Sequence, residues 1–241
     1  MAIEAGSSTY YQAKRGIVQD GLVLHLDAGV KESYSGGNIW RDLSGNGNHA
    51  TLTNGPSYTK RNGGMISLDG TNDWIATSFN PNVNNNRLVT MEIWFRDDNP
   101  GISSSTNTAL ISNYGPSGTI PLLIMHINSN GQAYIQERNS SATLSGAPNS
   151  VSSISTGEWK QVVGTFASSS LVMRVNGSVT GNHGSRVGET VTSGQNWVIG
   201  GNHLGRYQSC DIAIVRVYLD NAFGTDQAQQ NFNATRHRFG L

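Results

Sequence analysis

Charge is scarce in this chain. Only 13% of its 241 residues are Asp, Glu, Lys or Arg, where globular domains average about a quarter. The 16 basic and 16 acidic residues cancel, so the basic balance expected of a nucleic-acid or polyanion binder is missing. The single cysteine, Cys210, excludes an internal disulfide and with it any implied oxidising compartment. No positioned base lies beside it in the sequence, so a buried, inert thiol is expected. No run approaches the ~18–20 apolar residues of a membrane span, and residues 1–21 hold no apolar stretch of signal-peptide length. Glycine fills part of the gap, at 29 residues, about 12% against a usual value near 7%. Ser, Thr and Asn fill most of the rest. Such a neutral, turn-rich surface suits many short strands and polar loops, not a helical enzyme or a coiled coil.

The strand signals are many and short. Gly21–Asp27 comes first, followed by a tight loop from Trp40 to Asn48 dense in residues that tolerate positive φ. Further signals lie at 65–68, 74–77, 109–112, 120–127, 132–137, 159–166, 171–175 and 197–199. The clearest is Leu88–Arg96, where Val89, Met91, Ile93 and Phe95 alternate with Thr90, Glu92, Trp94 and Arg96. Ile212–Leu219 is apolar on both faces except at Arg216, as a central strand covered on both sides would be. One helix is expected, over Asp226–Ala234, with Thr225 as its N-cap. The pattern predicts an all-β chain, an antiparallel β-sandwich with one short C-terminal helix. Residues 21–235 would form the sandwich, with an N-terminal arm at 1–20 and a basic tail at 236–241.

Candidate chemistry is thin. An aromatic side chain flanked by hydrogen-bonding groups suits a sugar, so Glu92, Trp94 and Arg96 form a candidate glycan face. The competing reading is that Trp94 is covered and packs as core. The six histidines show no zinc spacing. His25 and His126 read as partly buried strand residues, while His183 and His203 sit in loops. Oxygen-rich loops offer hard ligands for calcium, with Asp27, Asp69 and Asp73 the candidate set. Asp and Asn also make Asx turns without a metal. There is no nucleophile elbow, phosphate loop or dinucleotide fingerprint.

Four ordered stretches carry a resemblance: Gly21–Asp27; Asp42-Leu43-Ser44-Gly45-Asn46-Gly47-Asn48-His49-Ala50; Ile66–Ile75 around Asp69-Gly70-Thr71-Asn72-Asp73; and Trp159–Val163 with Leu171–Gly177. With the closing strand Ile212–Leu219 and the helix, they resemble the concanavalin A-like lectin/glucanase superfamily, in its laminin-G-like (type 3) branch. The resemblance spans about residues 21–235 and implies a jelly roll of two curved sheets. It also implies calcium near the loop rim in some members. Glucanases of the superfamily carry Glu-x-Asp-x-x-Glu on one strand; here Trp94 stands at the middle acid and Asp97 at the second Glu. The motif is absent, and a non-enzymatic chain is expected. The first twenty residues and residues 232–241 are similar to stand-alone members from tailed bacteriophages. That implies a virion surface protein, a capsid decoration or fibre-like subunit made in the host cytoplasm. Its partners would be other virion proteins, cell-surface glycans and further copies of itself, with no nucleic acid and no membrane insertion. Tyr10, Tyr11, Arg15, Arg236, Arg238 and Phe239 would be the attachment residues. The alternatives are a free, calcium-dependent lectin and, behind it, an unusual glycosidase.

Overall fold

Fifteen strands form two antiparallel sheets in the computed structural model, which describes residues 16–81, 87–97, 108–113, 122–139, 143, 153–154, 156–183, 185–186, 195–201 and 206–241. The larger sheet holds β1 (Leu22–Asp27), β4 (Ser57–Thr59), β5 (Met65–Asp69), β7 (Val89–Arg96), β11 (Lys160–Phe166), β12 (Leu171–Val175), β13 (Ser178–His183) and β15 (Ser209–Leu219). The second holds β2 (Ile39–Trp40), β3 (Ala50–Thr53), β6 (Trp74–Thr77), β8 (Thr108–Ser112), β9 (Leu122–Ile127), β10 (Ala133–Arg138) and β14 (Val198–Ile199). Their orders are β13-β12-β11-β7-β15-β5-β4 and β10-β9-β8-β14-β6-β3-β2.

β15 organises the larger sheet, as its apolar sequence anticipates. One edge pairs with β7 from Asp211↔Arg96 to Leu219↔Val89. The other edge is shared: β5 takes residues 209–212 and β1 takes 214–218. The alternation along β7 is realised, with Val89, Met91, Ile93 and Phe95 facing the second sheet. There they join a core that includes Leu110, Met125 and Ile135. Gly164 lets β11 approach closely, because a Cβ at that position would overlap Ile135 of β10.

The outer face of the larger sheet is covered by the end of the chain. Helix α1 (Thr225–Thr235) and a 3-10 turn (Arg236–Phe239) lie on it. Ala228, Asn231 and Phe232 are buried, the i, i+3, i+4 spacing of one helix face. The helix is capped by Gly224, not Thr225, and the Gly224 N–H donates to Oε1 of Gln227 at 3.0 Å. Residues 236–239 therefore extend the sandwich, where a separate tail was expected. The expected arm is also partly docked. Val18 is buried and donates its N–H to Oδ1 of Asn231 at 2.8 Å, and Gln230 Nε2 donates to the Gly16 carbonyl at 2.8 Å. Tyr10, Tyr11 and Arg15 lie outside the described residues.

Candidate functional site

The expected glycan face lies beneath the C-terminal segment. Trp94 is fully buried, with its indole stacked on Phe239 (4.3 Å between centroids, 17°) and on Phe232 (5.8 Å, 3°). The covered-core reading of Trp94 is the one the structure realises. Glu92 is fully buried too. Its Oε1 accepts from Arg216 Nη1 and Gln161 Nε2, both at 2.8 Å, and its Oε2 accepts from Asn231 Nδ2 at 2.5 Å. Arg96 is held by Asp211 (Nη2 to Oδ2, 2.5 Å), with its guanidinium 5.8 Å from the Trp159 ring centre. The sequence shows the mixed face but not what covers it, because the cover comes from some 140 residues further along the chain.

The three candidate calcium carboxylates do not meet. Asp27 is ion-paired with Arg238 (Nη1 to Oδ1, 2.5 Å) and also accepts from the Gly29 N–H at 2.8 Å. Asp69 and Asp73 share a separate turn. There Asp69 Oδ1 accepts from the N–H groups of Thr71, Asn72 and Asp73, and Asp73 Oδ2 accepts from the Asp69 N–H. The Thr71 N–H above all holds the Asp69 carboxyl below its usual range, while burial pushes that of Asp73 up. The Asp42 loop is likewise closed from within. Its carboxylate accepts from the N–H groups of His25, Ser44 and Asn48 and from the Ser44 hydroxyl. Among the described residues no group of three metal-ligating side chains occurs. The oxygen-rich loops are Asx-type turns whose carboxylates already have donors.

The C-terminal attachment residues are also spent inside the fold. Phe239 is buried against Trp94 and Trp159. Arg238 donates to the carbonyls of Asn62 and Gly64 as well as to Asp27. Arg236 alone of the three is exposed, its guanidinium 5.7 Å from the Phe232 ring centre. His126 is buried against Tyr134, and burial depresses its pKa to about 3; burial, with Arg216 nearby, takes His25 to about 4. Cys210 is buried in β15, as expected.

A cleft of about 390 Å3 opens beside the end of β1. Ala28 and Gly29 line it together with Tyr34, Ser35 and Gly36 from the following loop, and Tyr58 comes from the edge strand β4. The two tyrosine rings lie 4.8 Å apart between centroids, tilted by 45°. Tyr34 is buried and its hydroxyl donates to the Gly37 carbonyl at 2.7 Å, while Tyr58 is 38% exposed. Burial, with Tyr58 adjacent, raises the Tyr34 pKa, so the phenol stays protonated. Gly36 and Gly37 take φ of 110° and 80°, a turn that side chains resist. It is this turn that folds the loop back and brings its own carbonyl to Tyr34. Lys31 and Lys60 complete the lining. The floor is braced from behind by Arg238, which ties Asp27 to the Asn62–Gly64 backbone. Sequence reasoning missed this site. Its aromatics lie 24 positions apart in a Gly-rich turn and a three-residue polar strand, neither of which carries a periodic signal.

A family model described as the concanavalin A-like lectin/glucanases superfamily, in its laminin G type 3 form, matches residues 69–226. No curated protein sequence matches the chain. Among solved structures, the binding domain of Paraclostridial mosquitocidal protein 1 superposes with a TM-score of 0.72 at 16% identity, covering 90% of this chain and 52% of that one. The botulinum neurotoxin serotype D ligand-binding domain, solved with N-acetylneuraminic acid, gives 0.70 at 14% identity, covering 89% and 51%. Trypanosoma rangeli sialidase, solved with 2,3-difluorosialic acid, gives 0.59 at 17%, covering 89% and 33%. The chain thus spans about half of each toxin domain and a third of the sialidase. At these identities the likeness is one of fold.

Proposed function

Because the chain belongs to the concanavalin A-like lectin/glucanases superfamily, in its laminin G type 3 family, we propose that it is a non-enzymatic glycan-binding module whose sugar site is the Tyr34–Tyr58 cleft. The observation that carries this reading is the tyrosine pair itself. It presents ring surface, half-exposed at Tyr58, in an open cleft of about 390 Å3, within the usual range for small-molecule sites. A pyranose offers one apolar C–H face and a rim of hydroxyls. The rings supply the apolar contact, and the Tyr58 hydroxyl, Ser35 and the lysines supply polar partners. The toxin domains and the sialidase among its structural neighbours place ligand-recognising proteins on this architecture, two of them solved with sialic-acid compounds.

The acids argue against hydrolysis. Most glycosidases set two carboxyl groups facing the sugar across the scissile bond. Glu92 is fully buried beneath α1 and saturated with donors. Glu137 is buried and paired bidentately with Arg186, at 2.7 and 3.1 Å. Glycan-array binding of the intact protein, repeated with Tyr58→Ala, tests the reading. Binding should be saturable and should fall at least tenfold in the variant while the melting temperature holds. Unchanged binding would move the site elsewhere. The virion setting is proposed from the chain ends alone, and gold-labelled antibody on viral particles is its test: regular labelling supports it, and bare particles refute it.

A further inference from the structure

We infer that the cleft takes an anionic saccharide, one whose carboxylate or sulfate is met by the ammonium groups of Lys31 and Lys60. The inference rests on the reading of the cleft as a glycan site and specifies its ligand. Lys31 lies in the loop after β1 and Lys60 directly follows β4, so two distant segments each bring a cation to one cleft. Both are exposed, and neither has an ion-pair or hydrogen-bond partner among the described residues. Elsewhere Arg87, Arg96, Lys160, Arg186, Arg216 and Arg238 are all ion-paired.

None of the residues lining the cleft is acidic. Asp27, which precedes the lining residue Ala28, is ion-paired with Arg238. The Tyr58 hydroxyl has no protein partner among the described residues and is a further donor. Two cations and a free hydroxyl around an aromatic pair match a sugar ring that bears one anionic group. The chain's zero net charge is consistent with this, since it excludes a field suited to long polyanions but not a local pair of lysines. Two ammonium groups also match one carboxylate or sulfate better than they match neutral hydroxyls, because charge-assisted hydrogen bonds are roughly twice as strong as neutral ones.

Exposed charges act weakly, so each lysine should contribute about two- to fivefold in affinity at low salt. The test is an array of matched oligosaccharide cores, each printed neutral, carboxylated and sulfated. It is read with wild type, Lys31→Gln/Lys60→Gln and Tyr58→Ala, each checked for an unchanged melting temperature. Wild type should favour an acidic form of its core by about tenfold in 50 mM salt. That preference should shrink in 0.5 M salt, where screening shortens the reach of the charges. The double lysine variant should lose the preference and bind the acidic and neutral forms of the core alike. The carboxylated and sulfated arms show which anion is read. A neutral core bound as tightly as its acidic forms, or a preference that survives both lysine substitutions, overturns the inference and leaves the glycan site standing. Binding that survives Tyr58→Ala, or no core bound in any form, overturns the glycan site and the inference with it.

Discussion

Replacing Arg216 with methionine removes one half of the ion pair at the centre of the larger sheet. The side chains of Arg216 and Glu92 are 1% and 0% exposed, so the Glu92 carboxylate would lose its counter-charge in a site closed to water. Breaking a buried pair from one side costs about 3–5 kcal/mol. Glu92→Met leaves the Arg216 guanidinium, plus the donors of Gln161 and Asn231, facing a methyl group, with a cost of the same order. The double variant strands no charge. It leaves the Gln161 amide short of an acceptor, while Asn231 keeps the Tyr218 hydroxyl at 2.9 Å. Its cost should be about 1–3 kcal/mol. The two sites should therefore couple by at least about 3 kcal/mol, the double variant being more stable than either single one. Urea unfolding followed by tryptophan fluorescence measures all three, because Trp94 and Trp159 lie in the cluster beneath α1 and report its detachment. Additive single costs, or singles within about 1 kcal/mol of wild type, would show that the pair does not anchor the C-terminal segment as the geometry requires.

Trp94→Ala should lower stability by about 3–5 kcal/mol, or about 6–20 °C in melting temperature for a domain of this size, with the glycan affinity of the folded protein unchanged; lost affinity at full stability would return the sugar site to that face. Acidification should destabilise the protein before the carboxylates titrate. The pKa values of His25 and His126 are depressed to about 4 and about 3, so the unfolded chain binds their protons first. Stability is full above about pH 6.5 and falls as pH drops towards those values, by at most about 1.4 kcal/mol per pH unit for each histidine. Melts at pH 7.5, 6 and 5 read the slope, and His126→Phe should halve it; a flat profile would mean the imidazoles are solvated. Gly164→Ala should cost about 1–3 kcal/mol by chemical denaturation, since its methyl must displace Ile135 in the opposite sheet; a neutral result would mean the sheets are further apart than they are here.

Most of the sandwich was legible from periodicity. β6 and β12 fall at the boundaries their alternation gives, and β7 differs by one residue. The elements that were not legible are β2, β3, β4 and β13, with sequences Ile-Trp, Ala-Thr-Leu-Thr, Ser-Tyr-Thr and Ser-Val-Thr-Gly-Asn-His. They are short or polar; β2, β4 and β13 are edge strands and β3 lies next to one. An edge strand is fixed by its neighbour's hydrogen bonds more than by its own side chains, so little of its placement is written locally. The helix start slipped by one residue because Gly224 caps through its backbone, a role that Thr225 advertises more strongly in sequence.

The site was misplaced for a different reason. Glu92, Trp94 and Arg96 do form one face of β7, but the sequence shows alternation without showing what lies over it. Phe232 and Phe239 decide the matter by stacking on Trp94, and Asn231 by bonding to Glu92. The residues expected to reach outward from the C-terminus are the ones that close this face and, through Arg238, brace the cleft floor. The same contacts that remove the expected site therefore stabilise the observed one. Arg238→Ala should loosen the Asp27–Gly29 and Asn62–Gly64 backbone and weaken glycan binding without removing any residue that lines the cleft, whereas Arg236→Ala, whose guanidinium lies over the Phe232 ring, should leave binding unchanged. Equal affinities for the two variants, measured by titration with whichever oligosaccharide the array identifies, would separate the C-terminal segment from the site and undo that link.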